Sequence, residues 1–274
     1  MVSIVHAVAE AMAVALTVSV ANWSGEDYQR VSALQRTVAS ETLAELVLNG
    51  AESVLDVGCG DGFLTRQIAA NLPDGLIVGM DASPLMVAAA HRAESSHGAT
   101  YFVRADARRL PFGRQFDMVV SFNALHWVPQ LDEALAGIAA VLRPGGRSVI
   151  QMVCATARPS IESTAMQVAA DPRWAAYFDG FTAPFRHIDP AVFADLANGC
   201  GLRVSALTVR DREWDFGSRE QFTAWCSVGS TAWSDRIPPE QRSAFVDDLV
   251  AAYEPVTGRP GLFRFMQMRA ELLA

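Results

Sequence analysis

Val54-Leu55-Asp56-Val57-Gly58-Cys59-Gly60-Asp61-Gly62 reads as a buried strand running into a tight turn. The apolar run Ser53 to Val57 has the length of a strand, and Phe63 to Ala70 continues as a helix. Glycine at every second position lets the backbone turn sharply and lets a ligand approach the main chain. A glycine-rich turn between strand and helix also marks nicotinamide sites, whose spacing is G-x-G-x-x-G. Counted from Gly58, the last glycine of that pattern falls on Phe63. Asp56 and Asp61 flank the loop; they would repel a diphosphate and suit a ligand carrying a cation.

On the N-terminal side, residues 27–48 predict a helix stopped by Asn49-Gly50, with Val31, Leu34, Val38, Leu46 and Val47 on one face. On the other side, strands are expected at Leu76 to Met80, Tyr101 to Arg104, Phe116 to Ser121 and Ser148 to Val153. Helices fall between them: Ser83-Pro84 opens one, and Leu131 to Leu142 forms another, closed by Arg143-Pro144-Gly145-Gly146. That alternation predicts a doubly wound α/β fold on a parallel sheet. After Val153 the rhythm changes. Residues 156–181 read as helical and aromatic, Asp189-Pro190 caps a helix ending near Asn198-Gly199, and Leu202 to Arg210 reads as a strand. Ser218 to Tyr253 reads as mostly helical, and Leu262 to Arg269 as a last strand. The expected organisation is an N-terminal tail or loose helix (1–26), an α/β core (27–155), and a C-terminal part (156–274) that completes the sheet and whose segments 156–181 and 218–253 form a helical lid.

The 274 residues suffice for one large α/β domain, and 51% hydrophobic residues suffice for a buried sheet. A net charge of −8 without a basic run argues against nucleic-acid binding; Arg104, Arg108 and Arg109 read as a solvated loop edge. The four cysteines, Cys59, Cys154, Cys200 and Cys226, have no metal or redox spacing and fit a reducing cytoplasm, so no metal site is expected. Cys59 reads as a small side chain in a tight loop rather than a nucleophile. Met1 to Ala21 is apolar apart from His6 and Glu10, but lacks a basic leader and is rich in Ala, Ser and Thr. It reads as a loose helix or as a tail from an early start site, Met12 being another; membrane insertion is not expected.

Asp81 ends the second strand, about 20 residues past the glycines, where an acid accepts from both ribose hydroxyls. Asp106, ending the third strand, is placed to accept from an adenine amino group. Each acid alone reads equally as a cap or turn residue. Asp56, Asp81 and Asp106 in this order point into the crevice where open α/β sheets bind ligands.

Val54 to Gly62, Asp81 to Met86, Ala105 to Phe112, Phe116 to Asn123 and Leu142 to Val149 resemble the successive motifs of the class I S-adenosylmethionine-dependent methyltransferases, nearest the small-molecule "type 11" branch. The resemblance is close from Val54 to Val149 and loose elsewhere. It implies a seven-stranded Rossmann-like sheet of order 3-2-1-4-5-7-6 with strand 7 antiparallel, and S-adenosylmethionine as cofactor. It implies that Gly58, Gly60 and Gly62 hold the cofactor's amino-acid part, with Asp56 beside them. Asp81 would contact the ribose and Asp106 and Ala107 the adenine, with Ala82 and Met86 also counted among the cofactor-binding residues. Asn123 would face the methionine part or the acceptor.

Tyr28-Gln29-Arg30-Val31-Ser32-Ala33-Leu34-Gln35 and Asn123-Ala124-Leu125-His126-Trp127-Val128 resemble the carboxyl methyltransferases of trans-aconitate, juvenile hormone acid and malonyl-acyl-carrier type. That likeness suggests Gln35 and Trp127 near the transferred methyl and the substrate acid. Gln35 reads alternatively as a solvent-facing helix residue, and Trp127 as a core aromatic. A carboxylate, with a pKa of about 4, is already a nucleophile at neutral pH and needs placement rather than a base. A hydroxyl acceptor needs deprotonation, for which His126 is the candidate. His126 therefore carries three readings: donor to a carboxylate, general base, or satisfied structural histidine.

Trp174, Tyr177, Phe178, Phe181, Trp225 and Trp233 are many large rings for one half of a chain; such rings build an apolar acceptor pocket, though most also serve as core, and either Arg173 or Arg186 could pair with a substrate acid. An apolar acid of fatty or isoprenoid type suits such a pocket better than a small tricarboxylate. O-methylation of a small carboxylic acid is thus the first expectation. O- or C-methylation of a phenol, polyketide or sugar is the second, and a non-catalytic cofactor-binding protein the third. A nucleic-acid methyltransferase is disfavoured, since Asn123-Ala124-Leu125-His126 stands where base-amine enzymes carry Asn/Asp-Pro-Pro-Tyr, and an oxidoreductase is disfavoured by the glycine spacing. The oligomeric state is left open.

Overall fold

The structure is a computed structural model that describes residues 4, 6, 8, 9, 33–93 and 99–274. Tyr28 to Ser32 and most of the N-terminal apolar run lie outside the described residues. Within that run Ile4 and Val8 are helical and buried against the main core. No described helix is long and apolar enough to cross a membrane.

Seven strands form one sheet: β1 (Ser53–Val57), β2 (Leu76–Asp81), β3 (Ala99–Arg104), β4 (Phe116–Phe122), β5 (Leu142–Val153), β6 (Arg203–Asp215) and β7 (Leu262–Leu273). Their order is β3-β2-β1-β4-β5-β7-β6. The first five pair in parallel, Ser53 opposite Leu76 and Val54 opposite Met118, while β7 runs antiparallel to both β5 and β6. Every residue of β1 is buried, the pattern of a strand covered on both faces. The covering helices are α1 (Ala33–Ala44), α2 (Phe63–Ala69), α3 (Pro84–Arg92), α4 (Leu131–Val141) and α6 (Pro190–Gly199); α5 (Ile161–Ala169), α7 (Arg219–Gly229), α8 (Thr231–Ser234) and α9 (Arg242–Thr257) belong to the segments inserted after β5 and β6. Strand order reverses between β1 and β4, and the carboxyl ends of these strands open the crevice that ligands use in such sheets.

The helix expected to run to residue 48 ends at Ala44. The Glu52 carboxylate accepts from the backbone N–H groups of Asn49 (2.8 Å) and Gly50 (3.0 Å), which holds the segment before β1 in a non-helical path. Leu46 still reaches the core with Val54 and Ile68, but Val47, expected on the same face, points to solvent. Arg143 to Gly146, expected as a closing turn, is an irregularity near the start of β5, where Phe116 pairs Leu142 but Met118 pairs Arg147. Residues 156–181 are helical only in α5 and in a short turn at Ala175–Tyr177. Strand β6 extends past Arg210 because its charged residues find partners: Arg210 and Arg212 pair with Glu45 and Glu41 of and beside α1, and Asp211 pairs with Arg158 and Arg264.

A second apolar cluster joins α1, α5, α7 and α9 to Phe263 and Phe265 of β7. It contains Trp174, Trp233, Phe245 and Tyr253, all essentially without solvent exposure. This helical layer stands over the carboxyl ends of the central strands.

Candidate active site

The glycine loop leaves β1 under tight backbone control. The N–H groups of Gly58 and Cys59 donate to the Met80 carbonyl at 2.8 and 2.9 Å, tying the loop to the end of β2. Gly58 (φ +81°), Gly60 (φ +56°) and Gly62 (φ +74°) all take the left-handed conformation that L side chains rarely adopt. A Cβ on Gly58 would meet the Ala124 methyl at 2.1 Å, and one on Gly62 would meet the Phe102 ring at 2.6 Å. A Cβ on Gly60 would meet nothing within 4 Å. Gly60 opens onto a cleft of about 490 Å³, so its space is free for a ligand, whereas Gly58 and Gly62 are close to neighbouring elements.

The expected cofactor residues Asp56, Gly58, Gly60, Asp81, Ala82, Met86, Asp106, Ala107 and Asn123 all line this cleft. Gly62 does not; it precedes α2 and makes room for Phe102. Asp81 bridges two loops, accepting from Gly60 N (3.0 Å) and Ser83 N (2.8 Å) with different oxygens. Each oxygen keeps a further lone pair for a ligand hydroxyl. Burial raises the Asp81 pKa, against the pull of the Ser83, Gly60 and Ala82 N–H groups. Asp56 is pushed up to about 7 by burial, opposed by the Thr65 hydroxyl at 2.6 Å and reinforced by Asp81. Two acids this reluctant to ionise favour a cationic ligand group, which relieves the cost of their charge. The Cys59 thiol is held well above its usual pKa, by desolvation first and then by Asp81, Asp56 and Asp61, so it is not an activated nucleophile.

At the other end of the cleft, Asp106 is gripped by Arg108. Nε lies 3.0 Å from both carboxylate oxygens, Nη2 2.7 Å from one, and the Arg108 backbone N–H donates at 2.9 Å. Burial opposes ionisation of Asp106, but the Arg108 fork outweighs it and lowers the pKa. A ligand amino group reaching Asp106 would therefore share it with Arg108.

A smaller cavity of about 130 Å³ lies against the helical layer, and Gln35, Asn123 and Trp127 line both spaces. Asn123 has φ +56°, alone among described non-glycine residues in being positive, and its Oδ1 accepts from Gln267 Nε2 at 3.1 Å. That bond orients the amide and leaves the Asn123 NH₂ group unspent. Gln35 Oε1 is buried without a partner, so the residue is not the solvent-facing one its alternative reading allowed. His126 lines the smaller cavity with Nδ1 buried and unpartnered. Desolvation, then the neighbouring His187, holds its pKa well below the usual value.

The expected ring of aromatics divides in two. Trp225 and Trp233 line the cavity, whereas Trp174, Tyr177, Phe178 and Phe181 pack within the helical layer. Trp174 donates from Nε1 to Asp248 (2.9 Å) and lies edge-on to Phe245. Neither arginine expected as an acid partner reaches the cavity lining. Arg173 pairs with Asp248 and stacks on Trp174, and Arg186 pairs with Asp132. The sequence reading missed Arg36, which lines the cofactor cleft with its guanidinium 4.8 Å over the Phe63 ring. Arg108, expected at a solvated loop edge, instead grips Asp106 in the wall of the cleft, and Gln267 and Glu162 were missed as well. Arg36 adjoins Gln35 in the motif already singled out; nothing local marks the others.

Comparison with known proteins agrees with this architecture. The family described as "Methyltransferase domain" matches residues 54–146. A trans-aconitate 2-methyltransferase of Methylobacterium radiotolerans is 29% identical over 237 residues, covering 85% of this chain and 90% of that protein. Another, from Paracidovorax citrulli, is 30% identical over 238 residues, covering 85% and 88%. Among solved structures, the YcgJ protein of Bacillus subtilis superposes with a TM-score of 0.62 at 16% identity, covering 87% of this chain and 98% of that one, a likeness of fold.

Proposed function

The chain belongs to the class I S-adenosylmethionine-dependent methyltransferases, and on that premise we propose that it methylates an oxygen of a small, largely apolar carboxylic acid. The observation that carries this reading is the junction: Gln35, Asn123 and Trp127 line both the large cleft and the apolar cavity. Atoms brought from the two sides meet there.

The residues of the cleft fit S-adenosylmethionine. The free space over Gly60 admits close backbone approach, and the acids at the loop favour a ligand with cationic groups. Asp81, with Ala82 and Met86 beside it, would hold the ribose hydroxyls. Asp106 and Ala107 would take the adenine, and Gly58, Gly60 and Asp56 the amino-acid end. When bound, the cofactor supplies an electrophilic methyl group on a sulfonium sulfur.

The remaining work is placement. An acid in the cavity would bring its carboxylate to the junction, where the Asn123 NH₂ group, left free by the bond from Gln267, and the Gln35 amide would donate to it. A carboxylate needs no proton removed. Trp127, Trp233, Phe263 and Phe265 keep water from the reacting atoms, and fixed orientation accounts for most of the acceleration such a reaction needs. His126, neutral because burial opposes its charge, is a weak base but an acceptable hydrogen-bond partner. Its unpartnered Nδ1 supports a second reading, in which His126 accepts the proton of a hydroxyl acceptor.

Incubation with methyl-tritiated S-adenosylmethionine and an acid library tests the choice. Label that is released as methanol by mild alkali identifies a methyl ester, the expected result. Alkali-stable label would move the assignment to the hydroxyl reading, and absence of label on every acid would refute the carboxylate reading.

A further inference from the structure

The acceptor cavity holds a carboxylate that no cation answers. Glu162 stands in its wall on the first turn of α5, with only 8% of its surface exposed. Among the described residues its carboxylate has no hydrogen bond. Its ion-pair neighbour is His187, whose Nε2 lies 3.8 Å from Oε2 and is itself buried without a hydrogen-bond partner. Burial lowers the His187 pKa, although Glu162 pulls it the other way, so that imidazole is a poor counter-ion. Gln35 Oε1 and Ser230 Oγ, in the same wall, are also buried and unpartnered. The chain contains no lysine, and none of its described arginines lines the cavity. A buried carboxylate left unpaired is costly, so its complement is a ligand group that donates a hydrogen bond.

We infer that Glu162 selects the acceptor: the substrate is an apolar acid with a single carboxylate and a hydroxyl or amino group on its body that donates to Glu162, and a second carboxylate is excluded. This rests on the acid-methylating reading above and narrows its substrate class. The reacting carboxylate lies at the junction against amide donors. The donor on the body meets Glu162, in a wall that is otherwise largely apolar and whose Ser230 hydroxyl makes no hydrogen bond to it. A second carboxylate would face Glu162 in a space without cations, where like charges repel far more strongly than in water. A polycarboxylate site needs the opposite wall, one built from arginine forks.

The test is calorimetry on the full chain saturated with S-adenosylhomocysteine, for wild type and Glu162→Gln. The probes are octanoic acid, its mono-hydroxy derivatives along the chain, and octanedioic acid. Wild type is expected to bind at least one hydroxy acid about tenfold or more tighter than octanoic acid, as a hydrogen bond to a charged group implies, and octanedioic acid most weakly. In Glu162→Gln the three classes should converge, with octanedioic acid gaining. The same order and spacing in both proteins would overturn the inference and leave the acid-methylating reading standing on octanoic acid binding. Binding of no probe to either protein would overturn both. A thermal melt checks the fold of the variant; the wild-type order stands as a test by itself, since a diacid bound as tightly as the monoacid contradicts the selection.

Discussion

Alanine at position 60 separates a binding role from a structural one within a single loop. Gly60 sits at φ +56° with no atom within 4 Å of an added Cβ, so Gly60→Ala costs only the left-handed backbone penalty, roughly 1–2 kcal/mol. Gly62 sits at φ +74°, and its added Cβ would lie 2.6 Å from two Phe102 ring atoms and 2.9 Å from Arg66 Nη1. Gly62→Ala therefore incurs the same backbone penalty plus overpacking of about 1–3 kcal/mol. Urea unfolding reads the stability of each variant, and calorimetry with S-adenosylhomocysteine reads binding. Gly60→Ala should unfold only slightly earlier yet lose tenfold or more in affinity, since its methyl group occupies the ligand's space. Gly62→Ala should lose more stability, while the protein that remains folded binds within a few-fold of wild type. Unchanged affinity in Gly60→Ala would refute the assignment of the cleft above that residue.

Three further outcomes follow from the same geometry. Asp56, ordinarily near 3.8 and raised to about 7 by burial, binds its proton more tightly in the folded state than in the unfolded chain. Its contribution is fully present below pH 3.8 and is lost at about 1.4 kcal/mol per pH unit as pH rises toward 7. The stability advantage of Asp56→Asn over wild type should grow across that window and level off above it; a pH-independent difference in urea melts would contradict the assignment. Trp174→Ala removes a buried ring that lines neither cavity and should cost about 3–5 kcal/mol while leaving the S-adenosylhomocysteine affinity of the folded protein unchanged, as calorimetry below the melting range would report. Cys59→Ala should retain cofactor affinity, and the wild-type Cys59 thiol should resist iodoacetamide at neutral pH in a mass-spectrometric time course, because desolvation and three nearby acids disfavour its thiolate.

The cofactor half was legible because its signals are local. A strand, alternate glycines and an acid at the next strand end are short-range features, and Asp56, Asp81 and Asp106 line one cleft because parallel strands bring their carboxyl ends together. The acceptor half depends on contacts between residues far apart in sequence. Trp174 and Trp233 look alike in the chain, yet one is pinned by Asp248 away from the cavity and the other lines it. Glu162 was hidden for a different reason. An acid in the first turn after a Ser cap is the ordinary complement of a helix dipole, and only the packing of α5 against α9, in the cluster that α7 also joins, turns it into a cavity wall. Val47 illustrates the converse error, since helical periodicity was extended past the point where Glu52 captures the backbone.

A crystal structure with S-adenosylhomocysteine tests the central claim most directly, that the cofactor cleft and the acceptor cavity meet at Gln35, Asn123 and Trp127. The expected result is the ribose hydroxyls hydrogen-bonded to Asp81, backbone of the ligand's amino-acid end over Gly60, and the sulfur facing that junction with the apolar cavity beyond it. A ligand whose sulfur points away from the junction, or one seated outside the cleft, would contradict it.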